Sequence, residues 1–248
     1  MNHLNDFADE RLLNGCIYCH SGSAETRDHV PSRILLESPF PTNLPVVPAC
    51  RECNSGFSLD EEYVAALLQC VLAGSTDPAK IQHDRVARSL ERNPALRARL
   101  ESSKREENGR VIFTVQEDRV KSIICKLAKG HAAYELSTPY RGTPDLIAWC
   151  PISEMTTDEW EDFDAAHVGG VINEIGSRNM QRLLVTQALL QSEKNGKNIS
   201  LNLLVNDWVE VQNGRYRYQV IDEPEIVKIK IVLAEYLTCE VIWKRDNL

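Results

Sequence analysis

Cys16-Ile17-Tyr18-Cys19 and Cys50-Arg51-Glu52-Cys53-Asn54 decide how this chain folds, with Arg27-Asp28-His29-Val30-Pro31 and Asn43-Leu44-Pro45-Val46-Val47-Pro48 lying between them. Each cysteine pair is split by two residues, the gap at which two thiolates of one turn reach a single tetrahedral ion. Thirty residues separate the pairs, so the spacing predicts one Zn²⁺ site made by Cys16, Cys19, Cys50 and Cys53. Four thiolates close the coordination sphere, whereas a catalytic zinc keeps one position open for water, so this ion is expected to be structural. Disulfides are the competing reading. The chain has no signal-peptide pattern, no apolar run of spanning length and not the small size of a secreted disulfide scaffold, and zinc is therefore favoured. His20 follows Cys19, but four cysteines already suffice. Cys70, Cys125, Cys150 and Cys239 sit among apolar neighbours such as Leu68, Val71, Ile123, Ile124 and Trp149, and are expected to be buried free thiols.

With an Asp-His step and Asn43 enclosed by two such knuckles, residues 13–63 resemble the HNH endonucleases. The resemblance implies a short hairpin and a helix built around one catalytic divalent ion, the hairpin being stapled by zinc. Carried onto this chain, it makes His29 the general base, Asp28 a metal ligand, Asn43 the asparagine that braces the hairpin loop, and Asn54 the second metal ligand. Mg²⁺ or another divalent cation is the implied catalytic ion. Two positions differ from the commoner pattern: Asn54 stands where many members have histidine, and Phe57 where many carry a basic residue for the scissile phosphate. Arg33 and Arg51 are the nearest candidates for that substrate contact. The resemblance implies DNA as substrate, with RNA as the other nucleic acid it admits, and a setting in a mobile element or antiviral defence.

The residue types suit that chemistry. Hydrolysing a phosphodiester needs an attacking water, a base for its proton, and positive charge for the crowded phosphorane and the leaving alkoxide. Imidazole titrates near neutral pH, which fits His29. A hard ion takes oxygen ligands, which Asp28 and Asn54 offer. Adjacent side chains on a strand point to opposite faces, so Asp28 and His29 can serve different partners.

Composition sets the frame. The chain has 248 residues, 43 % of them apolar, enough for one large domain or two small ones. An α+β fold is expected: a ββα-metal HNH module over residues 1–74, then an α+β domain over 75–248 that selects substrate or regulates. Ser58 and Glu61 have capping-box spacing, followed by a helical stripe of Tyr63, Val64, Leu67, Leu68, Val71 and Leu72. Asp77-Pro78 and Asn93-Pro94 predict helices over 78–92 and 94–107, ended by Asn108-Gly109. Further helices are expected over 119–134 and 180–191. Strands are expected over 110–115, 145–149, 199–205, 209–211, 216–220, 226–233 and 240–243, with a hairpin turn at Asn213-Gly214.

The formal net charge of −8 disfavours a large nonspecific interface with nucleic acid and fits a nuclease that stays quiet until a partner or a specific structure recruits it, a protein activator or a homo-oligomer being the protein partners expected. Basic residues gather between Lys80 and Arg105, and again at Arg119, Lys121, Lys126, Lys129 and His131. The plainer reading of both is the solvated outer face of a helix. His3, His83 and His167 are expected at the surface, and the four tryptophans in core packing. No membrane partner is expected, and the expected location is the cytoplasm. The alternative to an enzyme is a zinc-stabilised module that binds nucleic acid or protein without catalysis.

Overall fold

The computed structural model describes residues 14–169, 177–191, 196 and 198–245. His3 lies outside them. Helix and strand are mixed, as the α+β expectation requires. β1 (Thr26–His29) and β2 (Val46–Ala49) pair antiparallel, with Asp28 opposite Val47 and His29 opposite Val46. Cys50 then caps α1 (Arg51–Gly56), its Sγ accepting from the Cys53 N–H at 3.4 Å. Next comes α2 (Ser58–Ala73), closed by Gly74 in the left-handed conformation at φ 61°.

The capping box expected at Ser58 and Glu61 does not form. α1 runs into α2 through Phe57, which is itself helical at φ −80°, ψ −18°. A side-chain cap needs an extended residue at that junction, and there is none. Ser58 instead donates to Ser55 O at 2.5 Å, and Glu61 turns inward. Of the expected stripe, Tyr63, Val64, Leu67 and Leu68 are buried, whereas Leu72 is exposed.

Asp77-Pro78 opens only a 3-10 turn. The helix proper, α3 (Asp84–Arg92), begins at His83, a buried ring whose Nδ1 accepts from Val86 N. His83 is thus a cap rather than the surface residue expected. α4 (Pro94–Ser103) starts on Asn93, whose Oδ1 accepts from Leu96 N at 3.0 Å. It ends four residues before the expected boundary, because β3 (Lys104–Glu107) pairs with β4 (Arg110–Phe113). Asn108 and Gly109 have φ of 53° and 74°, the two positive angles of a tight hairpin turn. An Asn-Gly step therefore makes a hairpin here instead of a helix stop.

α5 (Glu117–Leu136) is the central helix. After it come β5 (Leu146–Pro151), α6 (Thr157–Asp164) with a Thr156/Glu159 capping box, β6 (His167–Gly169) and α7 (Arg178–Arg182). The remaining strands are β7 (Leu184–Gln191), β8 (Asn198–Asn206), β9 (Val209–Gln212), β10 (Tyr216–Asp222), β11 (Ile226–Leu233) and β12 (Leu237–Lys244). One sheet has the order β5, β12, β11, β10, β9; a second has β6, β8, β7. β12 therefore lies inside the large sheet, and β5 forms its edge. The helix expected over 180–191 is a correction: Leu184 to Gln191 pair with Val205 to Asn198 as a strand. Leu, Gln and Ala favour helix locally, but propensities of a few tenths of a kcal/mol each yield to a full ladder of backbone hydrogen bonds with β8.

One core joins α2, α5 and the large sheet through Tyr63, Ile123, Ile124, Leu127, Tyr218, Ile229 and Trp243, and so continues across Gly74. A second cluster joins Cys16, Ile17, Tyr18, Val30, Val47 and Cys50 to Ala133 of α5. The hairpin reaches the helix closely: a Cβ on Gly130 would stand 2.6 Å from Val30 Cγ2. Lys126 and His131 are buried, not on a solvated or phosphate-facing side of α5. No described helix is long and apolar enough to cross a membrane.

Candidate functional site

The two knuckles meet as the spacing requires. The four Sγ atoms all lie within 4.8 Å of one another, and those of Cys19 and Cys50 are 3.8 Å apart. A tetrahedron of zinc–sulfur bonds about 2.3 Å long has edges of about 3.8 Å, so the donor set fits that ion. Exposed His20 stands outside the cluster.

Backbone N–H groups already face the sulfurs: Tyr18 N points at Cys16, Ser21 N at Cys19 and Cys53 N at Cys50, each at 3.4 Å. Burial opposes ionisation of Cys16, yet backbone N–H groups around it bring its pKa down to about 7. Burial and the neighbouring sulfurs hold Cys53 far above the ordinary range. One thiol of the metal-free cage thus ionises readily while another resists, and a divalent cation is what lets all four become thiolates together. Gly15, at φ 74°, permits the first knuckle, since a Cβ there would meet Ser21 O at 2.4 Å. Arg141 ties the knuckle to the chain beyond α5 by donating to Cys16 O and Asn14 O.

Along β1 the side chains alternate as expected. His29 is half-buried, and its Nε2 lies 2.7 Å from Arg33 Nη2. A guanidinium only donates, so Nε2 is the accepting nitrogen and the ring proton sits on Nδ1. Sequence-based candidates for base and phosphate contact are thereby brought together. Arg51 is not among them: it is exposed at the start of α1. Asn43 stands exposed in a turn, and the loop it was expected to brace is closed by the backbone bond from Val30 N to Pro45 O at 2.9 Å. Asn54 donates through Nδ2 to Thr26 Oγ1 at 3.0 Å, joining α1 to the start of β1.

Asp28 faces inward and is only 7 % exposed. Its Oδ2 accepts from the Tyr18 hydroxyl at 2.8 Å and pairs with Lys126 Nζ at 2.8 Å. Burial and the Asp28 charge raise the Tyr18 pKa well above the ordinary phenol range, so Tyr18 remains a donor. Lys126, 2 % exposed, also donates to Ser32 Oγ at 2.8 Å and bonds Glu61, which in turn bonds Ser32.

A catalytic divalent ion does not fit beside Asp28 in this arrangement. It would bind a carboxylate whose Oδ2 already accepts from a phenol and an ammonium, and would sit a few ångströms from that fixed positive charge. Among the described residues, the four cysteines are the one group of three or more His, Cys, Asp or Glu side chains gathered closely enough to hold a metal ion.

Sequence reading missed Tyr18, Ser32, Glu61 and Lys126 as members of this cluster. One signal pointed to Lys126: with Ile123, Gly130 and Ala133 it recurs at spacings of three and four, marking a second inward stripe of α5 beside Val120, Ile124 and Leu127. Phe57, the position that departs from the basic pattern, has its ring 5.1 Å from that of Tyr18 and 5.6 Å beneath the Lys126 ammonium. The chain was compared with protein-family models, with curated proteins and with solved structures, and none of the three comparisons finds a match.

Proposed function

We propose that this chain is a phosphodiester hydrolase of the HNH type acting on DNA, with zinc in the four-cysteine cage as a staple and not a reagent. The observation that carries the reading is the pair of His29 Nε2 and Arg33 Nη2, 2.7 Å apart at the end of a hairpin strand held by the knuckles. An accepting imidazole nitrogen takes a proton from water, and a guanidinium binds a phosphate oxygen. A phosphate that draws the Arg33 guanidinium onto itself releases the Nε2 lone pair of His29 for the attacking water. Asn54 positions β1 through Thr26. The test is cleavage of supercoiled plasmid and of labelled single strands by zinc-loaded protein in Mg²⁺, Mn²⁺ or chelator. Cutting by the wild type and none by a folded, zinc-replete His29→Ala protein is the expected outcome.

A second reading is favoured by one observation, the closure of Asp28 beneath Lys126. In it the chain is a zinc-stabilised module that binds nucleic acid or protein without cutting. Equal inertness of wild type and His29→Ala, with nucleic-acid binding retained in a filter assay, selects it over the first.

A further inference from the structure

We propose that the Lys126 ammonium is the resident cation of the Asp28 carboxylate, filling from α5 the position that the HNH resemblance gives to a divalent metal ion. The assignment concerns which cation the carboxylate holds, and it stands whether or not the chain cleaves phosphodiesters.

Three oxygens surround Nζ: Asp28 Oδ2 and Ser32 Oγ, each at 2.8 Å, and Glu61 Oε1. This is an oxygen set of the kind a hard cation takes, with two carboxylates and a hydroxyl converging on one point. Tyr18 adds a hydroxyl to the same Asp28 oxygen. The ammonium satisfies the set with its three N–H donors, and the Phe57 ring backs it. A lysine this deeply buried must be paired to be tolerated at all, and here the pairing partners come from β1 and α2 while the cation comes from α5. The charge is therefore supplied by a residue about a hundred positions along the chain from Asp28, and it cannot exchange with solvent ions as a bound metal does.

The consequence is a latent metal site. Shortening Lys126 leaves two carboxylates and a hydroxyl around a vacancy, and a divalent ion of oxygen preference then has no ammonium to oppose it. An ion in that vacancy takes the place of the wild-type ammonium, so the two exclude each other, and removing the ammonium is expected to raise Mn²⁺ affinity roughly tenfold or more.

The experiment titrates full-length, zinc-loaded protein with Mn²⁺ and reads the bound ion by electron paramagnetic resonance, for wild type, Asp28→Asn, Lys126→Ala, and Lys126→Ala combined with Asp28→Asn. Expected are no Asp28-dependent uptake by the wild type, tight uptake of one ion by Lys126→Ala, and its loss in the double variant. Uptake by the wild type that Asp28→Asn removes overturns the assignment. So does a Lys126→Ala protein, folded by circular dichroism and zinc-replete, that binds Mn²⁺ no more tightly than the wild type. Should Lys126→Ala not fold, the wild type decides alone: paramagnetic broadening of the Tyr18 and Ser32 amide signals by millimolar Mn²⁺ overturns the proposal, and unbroadened signals support it. Every arm reads ion binding rather than turnover, so a failure of the nuclease reading leaves these outcomes distinct.

Discussion

The two ends of the short hairpin handle the same electrostatic problem in opposite ways. At the knuckle end, four sulfurs converge, and the donor set suits an external ion. At the Asp28 end, two carboxylates converge and the chain brings its own cation, Lys126. An external ion can be removed by a chelator and makes folding depend on metal supply. An internal ammonium cannot, and it makes the hairpin depend on α5. The difference teaches that one short hairpin and its helix can offer a coordination site for an external ion on one side and be closed by tertiary packing on the other.

Stripping the metal is the largest perturbation of this contrast. Structural zinc sites of this type contribute about 10 kcal/mol or more of apparent free energy near neutral pH. A chelator, or Cys50→Ser, is expected to unfold the hairpin and α1 while the five-stranded sheet, whose core lies with α2 and α5, keeps its protection. Hydrogen exchange resolved along the chain checks this, and equal loss of protection in both regions would break the contrast.

A smaller effect is expected at the other end. Lys126→Met removes the cation but keeps the stem, leaving buried Asp28 and partly buried Glu61 with hydroxyl donors but no cation, at a cost of about 3–5 kcal/mol. Adding Asp28→Asn is expected to recover part of that loss in urea unfolding, since one of the stranded charges is gone. Additive losses in the double variant would show that the two groups do not act as a pair.

The smallest effect probes the packing that brings the two regions together. Gly130→Ala pushes a methyl group into Val30 and is expected to cost about 1–3 kcal/mol. Val30→Ala in the same protein is expected to relieve part of it. Zinc content should not change in either variant, because the atoms nearest the added methyl are all those of Val30; a loss of zinc, read by atomic absorption, would mean that the two ends are coupled.

How much of this was legible in the sequence depended on the range of the interaction. The cysteine gaps, the alternation of Asp28 and His29, and the Asn93-Pro94 start of a helix are patterns within a few residues, where backbone geometry leaves little choice. Asn108-Gly109 was misread because the same step can stop a helix or turn a tight hairpin, and residues 184–191 because a helical preference of small magnitude competes there with strand partners that lie further off in the chain. His83 and Lys126 were misplaced for the same reason. A polar side chain looks solvated until its buried partners are known, and those partners, Leu36 O for one and Asp28 with Glu61 for the other, are separated from them by tens of residues.

By itself, then, the sequence determined the four-cysteine cage, the hairpin between its halves and the opposite facing of Asp28 and His29, because each follows from short-range geometry. Only the tertiary structure decided that Asp28 is closed by Lys126 and that Leu184–Gln191 is a strand. Those outcomes rest on which distant groups come together as the core packs, and no local spacing encodes that.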